Sequence, residues 1–309
     1  MWRHPGPVPL CVCHAGGMST PARDPGDAWV VMPTGERHWG LFGAAGLLAL
    51  DAERGVLLQH RVSWSHHGGT WALPGGARHQ HESAYAAALR ESAEEAGVPA
   101  GSVTPRFTHV LDLDLWSYTT VIVDVIEPFE PVISDPESYA LVWTPIAEVD
   151  LLPLHPSFAA AWPGLRALLD VRPALVIDGA NVVGSVPDGW WRDRAGAAER
   201  LRQRLETFAT IGVDAEALGL PGDRWFAEIT LVVEGQARAI EADAELSSSG
   251  VRIVRAPGDG DTSIVAEASA LVGRGRSVTV VTSDRPLGAR AIQARASVRG
   301  AGWLRDLLG

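Results

Sequence analysis

Four glutamates and one arginine, set between two glycines, are the residues whose types and spacing point most directly to chemistry. Gly76 is followed after five residues by Glu82, after seven more by Arg90-Glu91, and then by Glu94-Glu95-Ala96-Gly97-Val98. Residues 85–96 contain no Gly or Pro and are rich in alanine, so a helix is expected there, closed by Gly97 with Pro99 just beyond it. On that helix Glu91, Glu94 and Glu95 stand at i, i+3 and i+4 and share one face. Three like charges so placed repel unless something cationic sits between them. A hard divalent ion takes a few carboxylates together with substrate phosphates, and Arg90 can neutralise the cluster from the side. The competing reading is an Ala/Glu-rich surface helix with solvated acids, but such a helix has no need of the upstream glycines or of Glu82 at those offsets.

This spacing, with the preceding Trp71-Ala72-Leu73-Pro74-Gly75-Gly76, resembles the signature box of the Nudix (MutT-like) hydrolases. One position departs: Ser92 stands where the family usually carries an aliphatic residue. The resemblance covers about residues 27–170 and implies an α/β fold, an α/β/α sandwich with a mixed sheet. It implies a pyrophosphohydrolase that cleaves a phosphoanhydride in a nucleoside diphosphate derivative: a nucleoside triphosphate, an ADP-ribose type compound or a 5′-triphosphate RNA end. Mg2+ or Mn2+ is the implied cofactor, with Glu91, Glu94 and Glu95 as ligands and Arg90 orienting them. Gly76, Glu82 and Gly97 are then structural members of the box. A further acid outside the box is expected, and Glu137, between Pro136 and a strand, is the candidate. His66-His67, His79 and His81 are expected as exposed loop histidines, substrate contact being the alternative. Trp64, Trp71 and Trp116 offer faces for a nucleobase, with core packing expected for at least two of them.

The elements needed to position such a box are present. Residues 29–32, 40–50 and 56–61 have strand character, the last two flanking a turn at 51–55. Beyond the box, 103–115, 118–126 and 139–143 read as strands, and 157–169 as a closing amphipathic helix.

The second half, residues 171–309, has a different rhythm. Apolar strands at 174–177, 229–233, 251–254 and 278–282 are each followed by an acid, with helical stretches at 194–210, 237–246 and 262–272 between them. Alternating strands and helices make βαβ units and a mainly parallel sheet, whose ligands bind beyond the carboxyl ends of the strands. Val176-Ile177-Asp178-Gly179-Ala180-Asn181, Gly260-Asp261-Thr262-Ser263-Ile264 and Val281-Thr282-Ser283-Asp284-Arg285 resemble the blocks of PIN-like nucleases of the NYN and YacP-like branch. That resemblance implies Asp178, Asp261 and Asp284 as metal ligands, Asn181 as a polar helper, and metal-dependent cleavage of RNA. Thr262 departs from the pattern, and Asp259 is the substitute candidate. Aspartate after a strand is also common as a turn residue or helix N-cap, so a degenerate binding module stays open. Arg192, Arg194, Arg200, Arg202 and Arg204 offer a face for an RNA backbone, a solvated, salt-bridged face being the alternative. Trp190-Trp191 could stack on bases or pack against the other half.

Composition bounds the rest. A chain of 309 residues suggests two domains, and 46% hydrophobic residues are enough for two cores. All 26 basic residues are arginines, which with the Ala and Gly abundance suggests a high-GC bacterial genome. The net charge of −11 argues against broad non-specific binding to nucleic acid or membranes. Residues 1–26, rich in Pro and Gly, read as a disordered extension, with Met18 as an alternative start and the Cys11-Val12-Cys13-His14 cluster as a weak metal motif. Two closely spaced cysteines suggest a reducing cytoplasm, and no apolar run reaches the length of a membrane span. Nothing in the sequence marks an oligomer interface. Besides the enzyme, a nucleotide-sensing or RNA-binding protein with both folds and no turnover remains a reading from a different class.

Overall fold

The structure, a computed structural model, describes residues 24–186, 190–240 and 250–309. The Cys11-to-His14 cluster, Met18 and most of the expected 237–246 helix lie outside them.

The first half contains β1 (Trp29–Val31), β2 (Arg37–Trp39), β3 (Ala44–Asp51), β4 (Gly55–Arg61), β5 (Trp71–Ala72), β6 (Gly75–Ala77), α1 (Ala84–Ala96), β7 (Val103–Asp112), β8 (Ser117–Val125), β9 (Ser138–Thr144) and α2 (Pro156–Leu168). All eight residues of β3 are buried, which a strand achieves only when both sheet faces are covered. Its alternation divides them between two cores. Ala45, Leu47 and Ala49 pack with Leu57, Val121 and Val123 under Ala87, Ala88 and Ala96 of α1. Leu48 and Leu50 pack with Leu58 and Ile122 under Phe158, Trp162 and Leu165 of α2. The result is an α/β/α sandwich. Its sheet is mixed: β3 and β8 run parallel, while β7–β8, β3–β4, β3–β6, β4–β5 and β4–β9 are antiparallel.

The second half contains β10 (Pro173–Asp178), α3 (Gly179–Gly184), α4 (Arg194–Ile211), β11 (Val213–Asp214), α5 (Ala215–Leu218), β12 (Arg224–Trp225), β13 (Glu228–Val233), β14 (Val251–Arg255), α6 (Gly260–Gly273), β15 (Ser277–Val281), α7 (Arg285–Gln293), β16 (Ser297–Arg299) and α8 (Ala301–Leu308). Five strands form a wholly parallel sheet in the order β14-β13-β10-β15-β16. Leu175, Ile177, Ile229 and Leu231 face a core shared with α4 and α8; Ala174, Val176 and Val232 face the core beneath α6 and α7.

Several sequence expectations shift. The 103–115 strand ends at Asp112, because the chain turns there with Asp114 at φ 65°. What is described of the 237–246 helix is a 3-10 turn, Gly235–Ala239. The helix expected from 262 starts at Gly260, since Asp259 caps it, so Asp261 lies in its first turn. β16 and the β11–β12 hairpin were not expected. That hairpin leaves the second half and pairs with β7 of the first sheet, Trp225 opposite Phe107. The two rings stack at 4.4 Å, and Trp225 is fully buried. Among the described residues no helix is long and apolar enough to cross a membrane.

Candidate active site

The helix α1 forms where expected and is closed at both ends. The Ser83 hydroxyl accepts the Ala86 N–H at 3.1 Å. Gly97 takes the left-handed conformation at φ 65°, and Val98 N donates to Ser92 O at 3.2 Å. The unusual Ser92 is fully buried, and its hydroxyl donates to Leu89 O at 3.0 Å, so the polar group is satisfied within the helix.

Arg90 braces the box. Its Nε and Nη2 donate to the two Glu82 carboxylate oxygens at 2.9 and 3.0 Å, and Nη2 also to Ala77 O at 2.9 Å. Nη1 reaches Glu91 at 2.7 Å and Glu94 at 3.4 Å. Glu82 further accepts His79 N at 2.9 Å. The Arg90 guanidinium holds the Glu82 carboxyl below the usual carboxylate range, and the glutamates raise the arginine. A side chain at position 76 would place its Cβ 2.6 Å from the Glu91 carboxylate, so it would push that carboxylate out of its present place beside Arg90.

Glu95 faces elsewhere. Only 7% exposed, it accepts the Gly75 N–H at 2.9 Å, and its carboxylate lies within 4.8 Å of those of Asp135 and Glu137. Burial, with Glu91 and Asp135 adding repulsion, pushes its carboxyl up to about 8; Glu91 is also raised, chiefly by burial. Glu94 stays exposed. The three box glutamates therefore divide, Glu91 and Glu94 toward Arg90 and Glu95 toward the segment before β9. That segment is pinned: Val62 N donates to Glu137 O at 2.9 Å, and Asp135 Oδ1 accepts Glu137 N at 3.1 Å. Asp135 escaped the sequence reading, although an acid on each side of Pro136 was a signal available for it.

Among the aromatic candidates, Trp71 stacks on His60 and Trp116 on His38, while Trp64 is 66% exposed. His79 lies 3.9 Å from the Asp24 carboxylate. His81 takes a left-handed turn at φ 66°.

In the second sheet the strand order reverses at β10; Asp178 ends that strand and Asp284 follows its neighbour β15. Asp178 is buried; it accepts Asn181 N at 3.0 Å and Thr282 Oγ1 at 2.8 Å. Burial raises its carboxyl, with Asp261 and Glu234 repelling it further. Asn181 ties the loops together by accepting Ser283 N at 2.8 Å. Asp284 caps α7, accepting Leu287 N at 2.8 Å, and Asp259 caps α6, accepting Thr262 N at 2.9 Å. Asp261 lies 3.4 Å from the Arg290 guanidinium, and its carboxyl is raised by burial and by Asp284. Glu234, after β13, joins this acidic edge by accepting Gly260 N. Three of these acids thus serve as helix caps. The carboxylates gathered within 4.8 Å among the described residues are those of Glu95, Asp135 and Glu137, not these. On α4, Arg202 is paired with Glu199 and Glu206, and Arg204 donates to Gly309 O at 2.6 Å, so both are engaged within the protein. Arg194 lies over the Trp190 ring, which meets Trp191 edge-on.

The NUDIX domain family profile matches residues 40–163. A Mycobacterium tuberculosis protein named "Putative 8-oxo-dGTP diphosphatase 3" is 48% identical over 158 residues, 48% of this chain and 72% of that protein. A Bifidobacterium longum "Nucleoside triphosphate pyrophosphatase/Nudix hydrolase fusion protein" is 39% identical over 154 residues, 47% of this chain and 32% of its own length. The crystal structure of the Nudix hydrolase RenU from M. smegmatis, 48% identical, covers 46% of this chain and 94% of its own, with a TM-score of 0.44. The match to the NUDIX model and to the M. tuberculosis relative makes the domain that carries these arginine-braced glutamates a hydrolase acting on phosphoanhydrides. The chain belongs to the Nudix family, with its Nudix domain at residues 40–163.

Proposed function

We propose that the first half is a divalent-metal-dependent pyrophosphohydrolase of a nucleoside triphosphate, with an oxidised purine base as the leading substrate. The observation that carries this is the buried Glu95, whose hydrogen bond goes to a backbone N–H and whose carboxylate neighbours are Asp135 and Glu137. An all-oxygen donor set with surplus negative charge fits Mg2+ or Mn2+. Glu91, Glu94 and Glu95 would hold the metal, with Asp135 and Glu137 as the acids from outside the box. When bound, the metal supplies charge neutralisation at the phosphates and an acidified water. Arg90 fixes Glu91 and Glu94, Glu82 fixes Arg90, and the Gly75 N–H fixes Glu95; one of the glutamates helps to activate water. The base preference rests on the M. tuberculosis relative's name, and ADP-ribose or a 5′-triphosphate RNA end are the competing substrates.

For the second half the reading is a PIN-like domain over residues 171–309 with metal-dependent RNase activity. The observation favouring it is the pair Asp178 and Asp284 at the strand-order reversal, joined by Asp261 and supported by Asn181. Under the competing RNA-end reading, the first half would trim a triphosphorylated RNA end while the second holds or cuts the strand.

The test is phosphate and pyrophosphate release from 8-oxo-dGTP, unmodified nucleoside triphosphates, ADP-ribose and a triphosphorylated RNA, with Mg2+, Mn2+ or chelator, following RNA length in the same tubes. Fastest metal-dependent release from 8-oxo-dGTP supports the leading substrate. Binding of nucleotide without release from any of them would replace the enzyme reading with a sensing protein.

A further inference from the structure

Away from the carboxylates, His66, His67 and His155 each bring one ring nitrogen within 4.8 Å of the others. Ring centroids lie 4.1 Å apart for His66 and His67, 4.6 Å for His67 and His155, and 6.2 Å for His66 and His155. The three come from two segments that the backbone locks together. The β4–β5 connection is closed by Gly69 N donating to Arg61 O at 2.9 Å and by Thr70 Oγ1 donating to His67 O at 2.6 Å. Trp71 N then donates to Pro153 O and His155 N to Trp71 O, each at 2.8 Å, holding His155 in register with the histidine loop. His67 adopts a left-handed backbone, φ 54°, which residues bearing a Cβ adopt infrequently.

The geometry points to a transition-metal site in which His66, His67 and His155 hold one borderline divalent ion of the zinc class through three imidazole nitrogens. Imidazole suits zinc, nickel, copper and cobalt, whereas magnesium prefers oxygen, so this site and the carboxylates select different cations. Zinc–imidazole bonds of about 2.0–2.1 Å bring ligand nitrogens to about 3.3 Å from one another, which side-chain rotations reach from the present spacing. His155 Nδ1 accepts the Ser157 N–H at 3.3 Å; this long contact yields when the ring gives a nitrogen to the ion. Burial, with the neighbouring histidines and Arg61, lowers the His155 and His66 imidazoles, the direction that favours the neutral form a metal requires. The groups facing the cluster are Arg61, whose Nε donates to His66 O at 3.4 Å, His38, and the edge of Trp29. The arginine disfavours an ion held by charge alone, which again selects a metal with strong nitrogen bonding over magnesium or calcium. A bound ion would tie the loop before Trp71 to the segment entering α2.

The test is a Co2+ titration of the untagged full chain in excess Mg2+, read by visible absorption. Wild type is expected to bind one cobalt with ligand-field bands that Zn2+ abolishes. His67→Ala, in the exposed loop, and His155→Ala should each weaken binding roughly 100-fold or more, beyond the loss typical of outer partners of a metal site, while Glu95→Gln keeps the bands. Should His155→Ala fail to fold, His67→Ala decides alone. Equal cobalt affinity in wild type and His67→Ala, or bands lost only in Glu95→Gln, would overturn the site.

Discussion

Burial raises the Glu95 carboxyl from 4.5 to about 8, against the opposing pull of the Gly75 N–H and Arg61. Between those values the metal-free folded protein keeps a proton that the unfolded chain has released. Its stability therefore falls as pH rises through that window and levels off above it. Glu95→Gln keeps an acceptor for Gly75 N–H and removes the charge. Metal-free, it is expected to melt roughly 2–6 °C higher than wild type at pH 8, with a smaller gain at pH 5. The same substitution should lower anhydride hydrolysis roughly 100-fold or more, since it removes a proposed ligand rather than an outer partner. Differential scanning calorimetry at the two pH values checks the first half of this and phosphate release the second. Glu82 has the opposite sign: held low by Arg90, it contributes stability that is present above 4.5 and is lost as pH falls through its folded value. Arg90→Lys cannot reproduce the fork that grips both Glu82 oxygens and Ala77 O. A loss of about 1–3 kcal/mol in urea melts is expected.

At the scale of elements, what local pattern determines was legible. The Ala-rich run between Ser83 and Gly97 sets α1, and apolar runs set β3, β8, β10, β13 and β15. Gly76, which faces the Glu91 carboxylate, belongs to the same box spacing as that acid. What escaped depends on long-range contact. Asp135 meets Glu95 across 40 positions of sequence, and no periodicity marks that. β11 and β12 are two residues each, below any alternation signal, and exist because Trp225 fills a space beside Phe107. β16, Ser297–Arg299, is a short edge strand with only Val298 half-buried. His155 joins His66 and His67 only through the pairing of Trp71 with Leu154. Trp225→Ala should cost about 3–5 kcal/mol, as for other buried Trp residues. Although the residue belongs to the second half, amide exchange is expected to accelerate in β7 and β8; unchanged protection there would show that the hairpin does not support the first sheet.

Across the whole molecule the two sheets are tied at the short 169–172 connection as well as by the hairpin. Asp124 lies 3.1 Å from Arg106 and 3.2 Å from Arg172, and Arg106, almost fully buried, also donates to Leu169 O. Burial lowers the Arg106 guanidinium and raises the Asp124 carboxyl, so both ions lose hydration to make this contact. Removing one partner strands the other. Such ties make limited motion between the halves the expectation, while the two acidic sites lie on separate sheets and use separate residues. The two sites are therefore expected to work independently. The most direct measurement is the initial rate of anhydride hydrolysis and of RNA shortening, over a magnesium titration, for wild type, Glu95→Gln and Asp178→Asn. The expected result is metal-dependent hydrolysis that collapses in Glu95→Gln and survives in Asp178→Asn, with RNA shortening showing the reverse. Hydrolysis that persists in Glu95→Gln at the wild-type rate would contradict the assignment of the box as the catalytic centre.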